Sequence, residues 1–388
     1  MSNVRILHFY KTYIPDPPGG IAQVINQLAR GTALHGHAVD VLSLSRDTTE
    51  KSIQFEDHTA YRARLDFEIA STGFSFSVMR KFAALARAAD VVHYHFPWPF
   101  LDVVHFATRI SKPTVLTYHS DILRQRTLLK LYRPLMMRFL RSVDRIVATS
   151  PNYLATSDVL DQFRQKTDVI PIGIDRSTYP EPSDKLLAHW RRRFGDRFFL
   201  FVGVLRYYKG LHILLDAIHG TGLPVVIVGS GPVEEELRKH SARLNLTNVH
   251  FLGLLPEEDK VALIKLCFAF VFPSHLRSEA FGVSLLEGAM FGKPLISSEI
   301  GTGTTFVNVH GETGIVVPPD NPDAFRRAMS FLIENPADAR RMGENAERRY
   351  ERLFRADQMV SRHLELYHRL LTDPPRDQES RFRSMAVR

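Results

Sequence analysis

Short runs of apolar, β-branched residues alternate along this chain with stretches whose apolar positions recur at helical spacing. That alternation predicts repeated βα units and parallel sheets. In the first half the strand candidates are Arg5–Tyr10, Ala38–Ser43, Val91–His95, Thr114–Tyr118, Arg145–Thr149 and Asp168–Ile170. In the second half they are Phe198–Val202, Pro224–Val228, Val249–Leu252, Phe268–Phe272, Leu295–Ser297 and Gly314–Val317. Each half holds enough strands for one doubly wound domain, so the predicted fold class is α/β with two Rossmann-like parallel-sheet domains. The length of 388 residues agrees, since it exceeds one ordinary core.

The expected boundaries place an N-terminal domain at residues 1–176 and a C-terminal domain at 177–357. Residues 176–196, with two prolines and a charged run, read as the linker. The segment Pro322–Leu371 is helical in pattern, and its last part, 358–372, is expected to cross back to the N-terminal domain. Residues 373–388 carry paired prolines and little periodicity, and read as a disordered tail.

Composition narrows the classes. The chain is 44% hydrophobic and 24% charged, as a globular protein is, and no run approaches the roughly 20 apolar residues of a membrane span. Its start, Met1–Phe9, enters a strand at once and lacks the layout of a signal peptide, so a cytoplasmic location is expected. The single cysteine, Cys267, excludes an intrachain disulfide and reads as a buried strand residue. A net charge of +8 favours an anionic partner: phosphates, nucleic acid or an acidic membrane. No nucleic-acid reader motif is recognisable.

Candidate chemistry sits where open α/β sheets bind ligands, beyond the carboxyl ends of strands. After the first strand comes Pro15–Ile21, with Gly19 and Gly20 opening a helix whose N–H groups suit an anion; an ordinary turn explains it equally. After Phe198–Val202 comes Gly203, then Arg206 and Lys209, two cations suited to a diphosphate; the alternative is a solvated turn. Gly229-Ser230-Gly231-Pro232 resembles a phosphate loop, but Glu234, Glu235 and Glu236 follow and indicate a helix start instead. His93-Tyr94-His95 and Tyr118-His119-Ser120-Asp121 end apolar runs; the spacing gives no metal motif, and His119, before a loop, suits a polar sugar site. Most informative are Glu279 and Glu287, just over two helical turns apart around a Phe-Gly turn. One carboxylate would sit at a helix mouth and the other on its flank, accepting bonds from diols. Two solvated helix glutamates are the alternative. The segment Leu123–Arg145 carries Arg124, Arg126, Lys130, Arg133, Arg138, Arg141 and Arg145 beside apolar residues at helical spacing. It reads either as a surface for anionic lipid or as a packed helix with a solvated basic face, kinked or split at Pro134.

Taken in order and spacing, these motifs resemble the retaining glycosyltransferases of family 4, of GT-B fold, over nearly the whole chain. The match rests on Gly19-Gly20, Tyr118–Asp121, Pro171-Ile172-Gly173-Ile174-Asp175, the Arg206/Lys209 loop, Glu279-x7-Glu287 and His310–Pro319. The start His8–Tyr13 and the run Gly203–Gly210 look most like bacterial mannosyl- and D-rhamnosyltransferases of surface-polysaccharide assembly. The resemblance implies two domains facing a cleft and transfer of a hexose from a GDP-sugar to a lipid-linked glycan at the inner membrane face. It implies that Glu279, Ala280, Phe281, Gly282 and Val283 hold the donor sugar and Glu287 the ribose. Lys209 and Arg206, with Gly20, Gly203 and Gly229 nearby, would meet the diphosphate, and His119 would line the sugar and acceptor side. Many relatives carry arginine directly after the strand-end glycine, where this chain has Val204. No metal or other cofactor is implied, since fixed cations would neutralise the leaving group. The other functions open at this point are a UDP-sugar-dependent transferase, a sugar-nucleotide epimerase and a non-catalytic nucleotide-sugar-binding protein.

Overall fold

The computed structural model describes residues 3–16, 19–69, 72–122 and 126–372, with the side chains of residues 126 and 127 excepted. The expected tail at 373–388 lies outside the described residues, as do Arg124 and the side chain of Arg126.

The chain forms two compact units. The first holds β1 (Arg5–Phe9), β2 (Ala38–Ser45), β3 (Ser52–Gln54), β4 (Thr59–Arg64), the hairpin β5 (Phe67–Ile69) and β6 (Thr72–Phe74), then β7 (Val91–Phe96), β8 (Thr114–Tyr118), β9 (Arg145–Ala148) and β10 (Thr167–Val169). Its main sheet runs β10-β9-β8-β7-β1-β2-β4-β3, parallel throughout except for the edge strand β3. The order reverses between β1 and β7, the switch point where doubly wound sheets open a crevice for ligands.

The second unit holds β11 (Phe199–Val202), β12 (Val225–Val228), β13 (Val249–Gly253), β14 (Ala269–Phe272), β15 (Leu295–Ser298) and β16 (Gly314–Val317). Its order, β13-β12-β11-β14-β15-β16, is all parallel and is the strand order of dinucleotide-binding folds. Every residue of β11, β12 and β14 is buried, as parallel strands covered on both faces must be. Phe199, Phe201, Ile227, Val271 and Ile296 pack with Leu214, Phe325 and Met329 of the flanking helices in one core. The switch point lies between β11 and β14.

Four expectations change. The unit boundary falls between Gly173 and Ile174 rather than at 176/177, and Ser150–Thr156 joins the second unit, where Asn152 donates to Thr305 at 3.1 Å. The supposed linker 176–196 is ordered structure of the second unit. It contains a 3-10 turn at Arg176–Thr178 and a helix at Asp184–Phe194 capped by Ser183, whose side chain accepts from Leu186 N–H. Its charged run is the outer face of that helix, and Trp190 on the other face is buried with its indole N–H on Asp259 at 2.8 Å. Cys267 is buried, but at the end of the helix Glu257–Leu266 rather than in a strand. Arg126–Ser142 is one helix with Pro134 inside it, and Arg145 leaves it to start β9, paired with Asp168 at 2.7 Å.

The last described helix, Ala356–Thr372, belongs to the first unit and packs on the helix Gly20–Leu34. A Cβ on Gly31 would lie 2.4 Å from Val360 Cγ2, so the glycine sets how closely the two helices approach.

Because Trp190 fills the core side of the segment that opens the second unit, Trp190→Ala should cost about 3–5 kcal/mol. Denaturant unfolding would measure it; a loss below about 1 kcal/mol would return that helix to the status of a linker.

Candidate functional site

The second unit places two loops at its switch point. The β11 loop runs from Gly203 through a 3-10 turn at Tyr207–Lys209. The β14 loop runs from Pro273 to Gly282 and opens the helix Val283–Met290. Gly210 lets the two meet: its φ is +66°, and a Cβ there would stand 2.0 Å from the Pro273 carbonyl oxygen. Gly229 does the same for the loop after β12, with φ +128° and a would-be Cβ 2.0 Å from the Gly203 carbonyl oxygen. Gly229 is therefore needed to pack its loop against the β11 loop. The acids Glu234, Glu235 and Glu236 occupy the first turn of the next helix, as their charge favours.

Lys209 and Glu279 form a buried ion pair between these loops, with Lys209 9% and Glu279 8% exposed. Both come from loops at the carboxyl end of the sheet, and the ammonium also lies 4.7 Å from the centroid of the Phe272 ring. Ser274 Oγ donates to the same carboxylate oxygen, Oε2, at 3.4 Å. Among the described residues, Glu279 Oε1 has no partner.

Glu287 repeats this arrangement on the helix. It is buried at 3% exposure; its Oε1 accepts from Lys260 Nζ at 2.9 Å and from the Tyr179 hydroxyl at 3.0 Å. Burial by itself would lower Lys260, but the charges of Glu287 and Glu257 overcome it and hold the ammonium above its usual value. Tyr179 is pushed well up, by burial first and by the Glu287 carboxylate second. Glu287 Oε2 has no partner among the described residues. Each carboxylate is thus fixed through one oxygen by a lysine and a hydroxyl, with the other oxygen left to accept. The sequence reading did not find Lys260 and Tyr179: they lie 27 and 108 positions from Glu287, in segments with no motif of their own.

Between the two glutamates the backbone is open. The first helical bond at this end runs from Leu286 N–H to the Gly282 carbonyl, and no bond from the N–H groups of residues 280–285 is found among the described residues. Ala280, Phe281, Gly282 and Val283 therefore stand at a helix N-terminus with donors to spare. The Phe281 side chain faces inward, 3% exposed and edge-on to Phe354. Arg206 is exposed and makes no ion pair among the described residues. His275 ties the β11 loop down: its backbone N–H donates to the Tyr208 carbonyl at 3.1 Å and its Nε2 to the Tyr207 carbonyl at 3.1 Å, while Nδ1 meets Asp320 at 2.6 Å. His275 had no role in the sequence reading.

In the first unit Gly19 precedes the helix Gly20–Leu34, and its φ of −95° is open to any residue. A Cβ on Gly19 would meet nothing within 4 Å, so the space beside it is free. His119 follows β8 and is 4% exposed. It belongs to a cluster with His8, His93, His95 and His363. The rings of His8, His93 and His95 have centroids 4.5–5.3 Å apart and planes 21–39° apart, with a nitrogen of each within 4.8 Å of the others, and His8 Nδ1 is spent on His95 Nε2 at 3.1 Å. His93 also spends both nitrogens, on the Tyr367 hydroxyl at 2.6 Å and Thr117 Oγ1 at 2.7 Å.

The basic helix Arg126–Ser142 turns Met136, Met137, Phe139 and Leu140 inward. Tyr132 donates to Asp102 at 2.5 Å, and Arg138 stacks on Phe106. Lys130, Arg133 and Arg141 remain exposed, with Leu128 52% and Leu131 78% exposed beside them. No helix among the described residues is long and apolar enough to cross a membrane.

Comparison with known proteins places these features. Residues 18–178 match the model of Glycosyltransferase Family 4, and residues 184–349 that of Glycosyl transferases group 1. The chain is 63% identical to D-rhamnosyltransferase WbpZ of Pseudomonas aeruginosa, over 91% of this chain and 93% of that one. It is 51% identical to O-antigen chain mannosyltransferase C of Escherichia coli, over 95% of this chain and 99% of that one. Among solved structures, sucrose-phosphate synthase from Thermosynechococcus elongatus is similar with a TM-score of 0.79 at 22% identity, over 95% of this chain and 100% of that one. The fold is GT-B.

The histidine cluster makes a prediction about acid. Burial, then the charge of neighbouring histidines, lowers His8 and His119 to about 3; burial lowers His363 to about 4, and His93 and His95 also lie well below the usual value. The unfolded chain takes up these protons below about pH 6.5 and the folded chain does not, so stability falls as pH falls from about 6.5 toward 4. Each histidine contributes roughly 1 kcal/mol or more per pH unit. The melting temperature of the first unit should drop steeply between pH 6.5 and 5; a flat profile across that window would contradict the burial of the cluster.

Proposed function

Since the chain belongs to the family 4 glycosyltransferases, we propose that it transfers a hexose, mannose or D-rhamnose, from a GDP-sugar to a lipid-linked glycan in surface-polysaccharide assembly. The observation that carries the donor assignment is the pair of anchored carboxylates, each with one oxygen free to accept from a hydroxyl. Glu279, beside the open N–H groups of residues 280–283, takes the donor sugar; Glu287 takes the ribose through Oε2. The choice of sugar follows the names of the two relatives at 63% and 51% identity, and the choice of guanine follows from those sugars.

The chemistry rests on charge. As the glycosidic bond to phosphate breaks, the sugar becomes oxocarbenium-like and negative charge grows on the leaving diphosphate. Lys209 meets that charge with a fixed ammonium, and the helix N-terminus adds dipoles that need no reorganisation. Arg206, exposed and unpaired among the described residues, can turn toward the same phosphates, replacing the arginine that many relatives carry where Val204 stands. No divalent ion is needed. Glu279 and Glu287 already neutralise lysines and are poor metal ligands, so the proposed mechanism is metal-independent. Retention then follows from same-face attack, with the leaving phosphate as base and the free oxygens of Glu279 and Glu287 accepting from hydroxyls. His119 is assigned to the sugar and acceptor side.

Lys130, Arg133 and Arg141 with the exposed Leu128 and Leu131 support reversible docking on an anionic membrane surface, at the cytoplasmic face where a GDP-sugar is available. Each basic residue near such a surface contributes about 1 kcal/mol. The apolar side chains add burial.

GDP release from GDP-mannose or GDP-D-rhamnose should depend on a lipid-linked glycan acceptor and persist in excess EDTA. Lys209→Ala, confirmed as folded, should lower kcat by about 10²- to 10³-fold and change KM far less, because the lysine acts on charge that grows in the transition state. Isomerised donor without acceptor would make the protein an epimerase. An activity lost in EDTA and restored by magnesium would overturn the metal-free mechanism.

A further inference from the structure

Three of the buried histidines form a single hydrogen-bonded line within the first unit. His8 Nδ1 meets His95 Nε2 at 3.1 Å, and His95 Nδ1 meets His119 Nε2 at 3.0 Å. All three are buried and uncharged at neutral pH, so each ring carries one N–H and one lone pair. In such a line the rings cannot choose independently. Either every proton sits on Nδ1 and the bonds point from His8 toward His119, or every proton sits on Nε2 and they point back.

The far end decides between the two. His8 Nε2 is fully buried and has no partner among the described residues. If the line pointed back, that atom would be an N–H with nothing to donate to, and orphaned buried N–H groups are the rarest unpaired groups in proteins. Pointed toward His119, the line leaves only a bare lone pair at His8. The nearby histidines do not reverse this. His363 donates through Nδ1 to the Met359 carbonyl at 2.8 Å, and its Nε2 forms no hydrogen bond with His8 Nε2, so it gives an N–H there no acceptor. His93 stands outside the line, bonded to two hydroxyls that can rotate to suit either tautomer. At the near end, His119 Nδ1 has no partner among the described residues and is not among the fully buried unpaired atoms, so it reaches the surface.

We infer that His8 and His95 are positioning residues that lock His119 in the tautomer carrying its proton on Nδ1, so that His119 presents a hydrogen-bond donor to whatever binds beside it. Beyond the tautomer itself, the functional consequence rests on the assignment of His119 to the sugar and acceptor side. A donor there fits a hydroxyl or phosphate oxygen with a lone pair to offer, and it does not deprotonate an acceptor. His119 is thus a polar anchor and not a general base.

The test reads the tautomer directly. In protein labelled with 15N at histidine, long-range proton–nitrogen correlation distinguishes Nδ1–H from Nε2–H, and the His119 signals are those lost in His119→Gln. The wild type should show Nδ1–H at pH 7. His95→Asn and His95→Leu are close in shape, but only the asparagine can place an N–H where His95 Nδ1 stood. His95→Asn should keep the Nδ1–H tautomer and most of kcat/KM, whereas His95→Leu should lose the fixed tautomer and about 5- to 10-fold in kcat/KM, the worth of one hydrogen bond. Nε2–H at His119 in the wild type would overturn the inference, and so would two folded variants that behave alike. Full activity in His119→Gln would instead overturn the assignment of His119 to the ligand side, while leaving the tautomer measurement to judge the relay by itself.

Discussion

The site in the second unit depends on two buried lysine–glutamate pairs. A carboxylate as deeply buried as Glu287 or Glu279 would neutralise itself or lose several kcal/mol without a cation beside it. Lys260 and Lys209 prevent this, and they do so through one oxygen each, with Tyr179 and Ser274 sharing that oxygen. The second oxygen stays charged, oriented and open. The pairing also ties the β11 loop to the β14 loop, the two segments that flank the switch point. Gly210 matters because it lets the two backbones approach closely enough for the Lys209–Glu279 pair to form, and Gly229 packs the loop after β12 against the same β11 loop.

The same logic governs the first unit with opposite chemistry. There the buried polar groups are imidazoles; burial keeps them neutral, and they bond to one another and to Thr117, Tyr367 and the Met359 carbonyl. Charged pairs suit a site that must attract hydroxyls and oppose a growing negative charge. A neutral line of imidazoles suits a site that must present one defined donor. Both are built where strand order reverses and the carboxyl ends of the strands diverge.

Much of this was legible in the sequence because it is local. The apolar runs that became β11, β12 and β14 are buried on both faces and read as uninterrupted apolar segments. The eight-position spacing of Glu279 and Glu287 is set by one turn and one helix. What escaped is non-local. Lys260 sits in an ordinary amphipathic-looking run after three acids, and nothing near it announces that Glu287 is its partner. The linker reading of 176–196 failed because Pro180 and Pro182 lie outside the helix and the charges on its solvent face mask the buried Trp190. The histidine line did leave a trace: His93 and His95 share one face of β7, and His8 is in register with His93 on the neighbouring strand. That trace becomes readable only once the strand order is known. Arg145, counted with the basic helix, belongs instead to an ion pair with Asp168 at the start of β9.

The central claim is that an anchored carboxylate with one free oxygen holds the nucleotide's ribose, and calorimetric titration tests it most directly. GDP would be titrated into the wild type and into Glu287→Gln, which keeps the side chain's shape and removes its charge; a thermal melt would confirm that the variant is folded. Loss of a charged hydrogen bond costs about 1.5–3 kcal/mol, so affinity should fall by about 10- to 150-fold. An unchanged affinity in the folded variant would contradict the ribose assignment and leave Glu287 as a structural partner of Lys260 alone.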